Sequence, residues 1–151
     1  MAKVEDLREA YSSLEHSYEI RGEEAIDASC LLAFDYDYPD QECEISIDSD
    51  EFTAVCPWTG LPDFGTVTIR YVPDKKLLEL KSFKYYLLSY RQVGIVQEHV
   101  ANHILQDLVD VCRPCRLSLI LDYKTRGGIH TSVEVSYHAP EGQLLARSAV
   151  T

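Results

Sequence analysis

Thr66-Val67-Thr68-Ile69-Arg70-Tyr71 sets Val67, Ile69 and Tyr71 at every second position, with Thr68 and Arg70 between them. Side chains of an extended chain point alternately to opposite faces, so this period of two predicts a half-buried strand. Val72-Pro73-Asp74-Lys75 carries turn-forming residues, and the reading brings the chain back through residues 76–80 as the partner strand. Upstream, residues 42–49 alternate in the same way, with Ile45 and Ile47 on one face. Downstream, residues 116–123 and 131–137 flank Thr125-Arg126-Gly127-Gly128, and Val133, Val135 and Tyr137 keep the phase. That is a second hairpin. Between the hairpins Val96, Val100, Ile104, Leu108 and Val111 recur three or four apart, which predicts an amphipathic helix ending near Pro114.

Hairpin, helical middle, hairpin is an α+β pattern: an antiparallel sheet with helices on one face. Sheet edges and an uncovered face need a partner, so self-association is expected. Leu7, Tyr11 and Leu14 lie at helical spacing within the polar first 25 residues, which read as an N-terminal arm or short helix. Residues 1–151 read as one domain.

The composition excludes several classes. No stretch reaches the roughly 20 apolar residues of a membrane span. The opening Met1-Ala2-Lys3-Val4-Glu5-Asp6 turns acidic at once, unlike a secretory leader. Five cysteines at 30, 43, 56, 112 and 115 are an odd number without framework spacing, so reduced thiols in a cytoplasm are expected. Asp and Glu number 25 against 14 Lys and Arg, for a net charge of -11. Gripping a polynucleotide takes a basic patch, and here the cations are scattered. A small anionic cofactor held by a few local cations remains compatible.

Three segments carry reactive groups. Cys56-Pro57-Trp58-Thr59-Gly60-Leu61-Pro62-Asp63-Phe64-Gly65 is a connection fixed by two prolines and two glycines. A thiolate suits an electrophilic carbon such as a nitrile, and Asp63 is the nearest acid to protonate the resulting nitrogen. A buried structural cysteine beside a turn-forming aspartate would have the same spacing. Glu79-Leu80-Lys81-Ser82-Phe83-Lys84-Tyr85-Tyr86 offers two cations beside rings, able to hold phosphates or simply to form a solvated strand end. No Gly-x-Gly-x-x-Gly follows a strand. Gln97-Glu98-His99 opens the long helix; Glu98 can accept two N–H groups from a guanine-like edge, or merely favour the helix dipole. No metal site is expected. His99 and His103 lack the His-Glu-x-x-His order, and Cys112-Arg113-Pro114-Cys115 is a lone pair at the helix end that disfavours a thiolate.

Taken in order, Cys56-Pro57-x-Thr59-Gly60-x-Pro62-Asp63-Phe64, the Glu79–Tyr86 segment and Glu98 closely resemble the 7-cyano-7-deazaguanine reductases of queuosine biosynthesis, from about residue 42 to 138. Glu-Leu-Lys-Ser-x-Lys-aromatic-aromatic is the signature separating them from GTP cyclohydrolase I. The resemblance implies the tunnelling fold, in which subunit sheets join into a barrel with active sites between subunits. It also implies a short-form decamer of two pentamers. It gives Cys56 a covalent thioimide with the substrate nitrile and Asp63 the proton donation. Leu78, Glu79, Leu80, Gln97 and Glu98 would bind the base, while Lys81, Lys84, Arg126 and Gly127 would contact NADPH. Many relatives have His where this chain has Gln97. On this resemblance the substrate would be a free base, so no tRNA surface is implied. Three rivals stand beside this reading: amine addition to the same thioimide, a zinc cyclohydrolase, and a catalytically silent ring-forming binder.

Overall fold

A computed structural model describes residues 3–12 and 19–141. Its elements in chain order are α1 (Val4–Ser12), β1 (Ala33–Asp35), β2 (Ile45–Val55), β3 (Pro62–Val72), β4 (Lys76–Leu78), α2 (Leu80–Leu88), α3 (Gln97–Cys112), β5 (Arg116–Tyr123) and β6 (Ser132–His138). Two 3₁₀ turns, Glu23–Ala25 and Ala28–Cys30, precede β1. Leu7 and Tyr11 of the expected arm lie on α1; Leu14 falls outside the described residues.

The main sheet has the order β2-β3-β5-β6, antiparallel throughout. Val67, Ile69 and Tyr71 of β3 and Leu117, Leu119, Leu121 and Tyr123 of β5 are buried on one face. Val100, Ala101, Ile104 and Leu108 of α3 join them in the core, as do Phe83, Tyr86 and Leu87 of α2. Helices therefore cover one face of an α+β fold. Between Ser49 and Phe52 the register of β2 gains one residue over β3. This bulge returns Phe52 and Ala54 to the core face, where an unbroken alternation would turn them outward.

Two expectations are corrected. Residues 76–80 do not pair with β3; Lys76–Leu78 instead pair with β1, Ala33 opposite Leu78. The free side of β3 is taken by an eight-pair ladder with β5, against which a three-residue return strand cannot compete. Leu80 begins a helix rather than ending a strand, because Glu79 caps the amides that follow it.

Helices α2 and α3 are fastened by a buried polar chain. Tyr86 donates its hydroxyl to Asp107 Oδ2 at 2.5 Å and lies 2.9 Å from the Tyr90 hydroxyl. His103 Nδ1 stands 3.2 Å from the same aspartate oxygen. Burial drives the ionisation of both tyrosines far upward, so they remain neutral donors.

Candidate active site

Strand β2 delivers Cys56. The Val55 amide donates to Val93 O at 2.9 Å and the Ile95 amide to Val55 O at 3.2 Å, so the strand end is stitched to the segment leading into α3. The chain then closes on itself: Gly60 N donates to Cys56 O and Cys56 N to Leu61 O, both at 2.9 Å. Gly60 has φ +69°, a left-handed conformation that glycine adopts without the usual side-chain penalty. Cys56 is 4% exposed but stands apart from the core cluster, covered by its own loop. Burial pushes its thiol up. Polar groups of Thr59, Trp58 and Arg126 act against this, and together they bring the thiol below its ordinary value.

Asp63 lies at the start of β3, opposite Ala54, rather than in the loop proper. Its position two residues before Gly65 and four before Val67 points it to the core face, and it is 5% exposed. Arg126 Nη1 donates to Asp63 Oδ1 at 2.6 Å. The arginine comes from the β5–β6 turn, where Arg126 and Ile129 exchange both amide bonds at 3.0 Å. Gly127 and Gly128, at φ +58° and +77°, supply the two left-handed residues that such a two-residue turn needs. Tyr123, opposite Gly65, donates its hydroxyl to Gln97 O at 3.1 Å. Burial raises Tyr123 most, and the charges of Asp63 and Glu98 raise it further, so both carboxylates lie around that ring. Cys56, Asp63, Arg126, Gly127, Gln97 and Glu98 therefore form one group.

The remaining candidates lie elsewhere. Leu78 is buried and its amide donates to the Tyr71 hydroxyl at 3.1 Å. Glu79 accepts from the Lys81 and Ser82 amides at 3.0 and 2.7 Å. The Ser82 and then the Lys81 amide hold its carboxyl below the usual range. Leu80 and Lys81 are exposed beside it. Lys84, a turn further along α2, lies 3.7 Å from Glu51 with both groups largely in solvent. From Asp63 to Tyr71 the chain runs eight residues of β3. At about 3.3 Å per residue that is roughly 26 Å, so within one chain the Glu79 group lies well apart from the Cys56 group.

Sequence reading missed Thr59 and Tyr123 as site residues. Thr59 lies within the quoted motif, but its hydroxyl contact depends on a loop closure that spacing does not encode. Among the described residues no group of three or more His, Cys, Asp or Glu side chains is placed to hold a metal ion. His103 faces Asp107 and Tyr90. Cys112 is buried at the end of α3, where desolvation pushes its thiol up to about 11. No described helix is long and apolar enough to cross a membrane.

A covered cysteine in a closed loop, near a buried carboxylate that accepts from Arg126, makes the Cys56 thiol the candidate reactive group of an α+β protein. The family profile described as QueF-like protein matches residues 62–142. The NADPH-dependent 7-cyano-7-deazaguanine reductase of Caldanaerobacter subterraneus subsp. tengcongensis is 49% identical over 127 residues, 84% of this chain and 95% of that protein. The protein of the same name from Caldicellulosiruptor bescii is 50% identical over 120 residues, covering 80% and 92%. That from Chlorobaculum tepidum is 54% identical over 107 residues, covering 71% and 92%. The archaeosine synthase QueF-Like, solved in the apo form, superposes with a TM-score of 0.57 over 66% of this chain and 95% of its own, at 20% identity; it shares the fold. The chain belongs to the QueF-like family.

Proposed function

We propose that this chain reduces the nitrile of 7-cyano-7-deazaguanine to the aminomethyl group, using Cys56 as nucleophile and NADPH as reductant, in the cytoplasm. One observation carries the reading: the closed Cys56 loop lies next to the buried Asp63 carboxylate, which accepts from Arg126 at 2.6 Å. The names and close similarity of the relatives supply the substrate.

The chemistry follows from the group. The Cys56 sulfur bonds to the nitrile carbon while one C–N π bond breaks, and the proton given up by the Cys56 thiol passes by way of Asp63 to the nitrogen, giving a thioimide. Asp63 Oδ1 is occupied as an acceptor from Arg126, so Oδ2 is the oxygen that faces this task. Glu98, with Gln97 beside it, accepts the N–H groups of the guanine-like edge. Glu79 has a second duty as the cap of α2, which leaves only its remaining lone pairs for a ligand. Leu78 and Leu80 supply apolar contact.

The chain has cations suited to the cofactor despite its net charge of -11. Lys81 is exposed in the first turn of α2 with Lys84 beyond it, and Arg126 reaches out from the other half-site. Gly127 has open space where a Cβ would be, so a ligand can approach its backbone closely. NADPH supplies hydride, and nitrile-to-amine conversion takes two. Between them the protein has to exclude water from an imine-level group.

Complete sites then need two chains, with the Cys56 half of one facing the Glu79 half of another. The strands at both edges of the sheet, β2 and β6, are the natural places for that contact, closing subunit sheets into a barrel. A decamer of two pentamers is the assembly we assign.

The test mixes protein, 7-cyano-7-deazaguanine and NADPH and follows cofactor absorbance and product mass. Two NADPH oxidised per aminomethyl product is expected. No cofactor oxidation and no mass adduct on Cys56 would sink the proposal.

A further inference from the structure

Arg21 and Arg91 line one cavity of about 550 Å³, with Gln92, Ser89 and the apolar Ala25 and Leu88. The backbone fixes both arginines there. Arg21 N donates to Gln92 O and Gly94 N to Arg21 O, both at 2.8 Å, so the two short runs lie side by side and parallel. Val93 N donates to Tyr90 O and Val55 N to Val93 O, each at 2.9 Å, which ties this wall to the end of β2. Neither arginine has an ion-pair partner among the described residues, although Asp and Glu outnumber Lys and Arg by 25 to 14. Ser89 is already committed: its hydroxyl donates to Tyr86 O at 2.6 Å and accepts from Asp27 N at 3.0 Å. A second cavity of about 390 Å³ shares Arg91 and Gln92 with the first and continues along Val55, Leu61 and Pro62, with Glu19 also in its wall.

We propose that these joined cavities bind a nucleoside phosphate: Arg21 and Arg91 take the phosphate, and the base lies along Val55, Leu61 and Pro62. The sorting follows from charge. A guanidinium stays protonated, and its planar donors match phosphate oxygens two at a time. Two of them in one cavity make a local positive field on a chain of net charge -11. Glu19 in the second cavity repels phosphate there, while its carboxylate can accept an N–H from a base. A bare inorganic anion would leave the apolar stretch of the groove unused. Both volumes lie in the range of small-ligand sites. The second cavity also includes Gly60, so its occupant touches the loop that closes around Cys56. The site does not depend on the chemistry of that cysteine.

The test titrates the full chain with ADP by isothermal calorimetry, with adenosine as the phosphate-free control. ADP is expected to bind, adenosine to bind about tenfold more weakly or worse, and ADP affinity to fall as salt rises. Arg21→Gln and Arg91→Gln should each weaken ADP about tenfold, the scale of one lost charge-assisted contact. Arg91→Lys keeps the charge without the planar fork and should fall between. Both arginines are exposed, and circular dichroism checks that each variant is folded. If one variant misfolds, the other and the adenosine control still decide. NADPH is then added as competitor. Displacement of ADP assigns the site to the reductant, and undiminished ADP binding assigns it to a second nucleotide; either result upholds the site. No ADP binding, equal affinity for adenosine, or unchanged affinity in the folded variants overturns it. ADP held instead by Lys81 or Arg126 would give that last pattern. Because no turnover is read, failure of the reductase assay would leave this result standing, and the reverse holds as well.

Discussion

The Tyr123 hydroxyl donates to the main-chain carbonyl of Gln97 at 3.1 Å, fastening the end of β5 to the first turn of α3. The strand that leads to the Arg126 turn and the helix that carries Glu98 thus share one buried joint. Neither element can shift without breaking it.

Tyr123→Phe removes that bond and leaves the Gln97 carbonyl without its donor. A loss of about 1 kcal/mol in stability is expected, measured by denaturant unfolding. Glu98 loses its fixed origin, so the KM for 7-cyano-7-deazaguanine should rise several-fold while Cys56 alkylation stays normal. Equal KM values for variant and wild type would remove the joint from the binding account.

Cys56→Ala should abolish both the substrate adduct and NADPH oxidation, whereas Cys112→Ala should retain them. The second thiol has a pH signature of its own. Burial raises the Cys112 thiol in the folded chain to about 11, above its ordinary value of 9.0, so the folded state holds this proton more tightly. Its contribution to stability is complete below pH 9 and is lost as pH rises through 11, on the order of 2 kcal/mol. Unfolding free energies from pH 8 to 11 should therefore fall less steeply in Cys112→Ala than in wild type. Matching slopes would contradict the burial argument.

Asp63→Asn preserves shape but cannot give up a carboxyl proton. Adduct formation with the nitrile should slow by about 10²-fold or more, the scale of a lost general acid. Stopped-flow formation of the adduct at the wild-type rate would strip Asp63 of its assigned role.

Tyr86→Phe deletes the hydroxyl shared by Tyr90 and Asp107 at the α2–α3 contact. Thermal unfolding should register a cost of about 1–3 kcal/mol, the price of a broken buried network. The alkylation midpoint of Cys56 should not move, because none of these groups bonds its sulfur.

The sequence exposed the fold where apolar spacing was regular. Ile45 and Ile47, Val67 to Tyr71, the Val96 to Val111 stripe and the final hairpin all take the expected form. Pairing partners were less legible. Leu77 and Leu78 fit a strand, but alternation says nothing about which strand lies alongside, and the three residues Ala33–Asp35 are too short to announce themselves. Helix α2 was hidden because its start depends on the Glu79 side chain capping two amides. Within the site, Cys56 and Asp63 fall seven positions apart and could be paired by eye. The Arg126–Asp63 contact spans 63 positions and becomes visible only once β3 and β5 align.

If each reaction chamber draws Cys56 from one chain and Glu79 from another, two dead variants can repair each other. Cys56→Ala and Glu79→Ala proteins, unfolded together and reassembled in equal amounts, should regain about one quarter of the wild-type sites, given random mixing around a ring. Neither variant alone should recover.

The length of β3 between Asp63 and Tyr71 also reaches beyond chemistry, into dosage. If the work is performed at a seam between neighbours, as proposed, a solitary chain can be perfectly folded and still inert. Turnover per milligram should then collapse on dilution well before any loss of secondary structure, which makes the amount of protein a cell maintains a condition for having the enzyme at all.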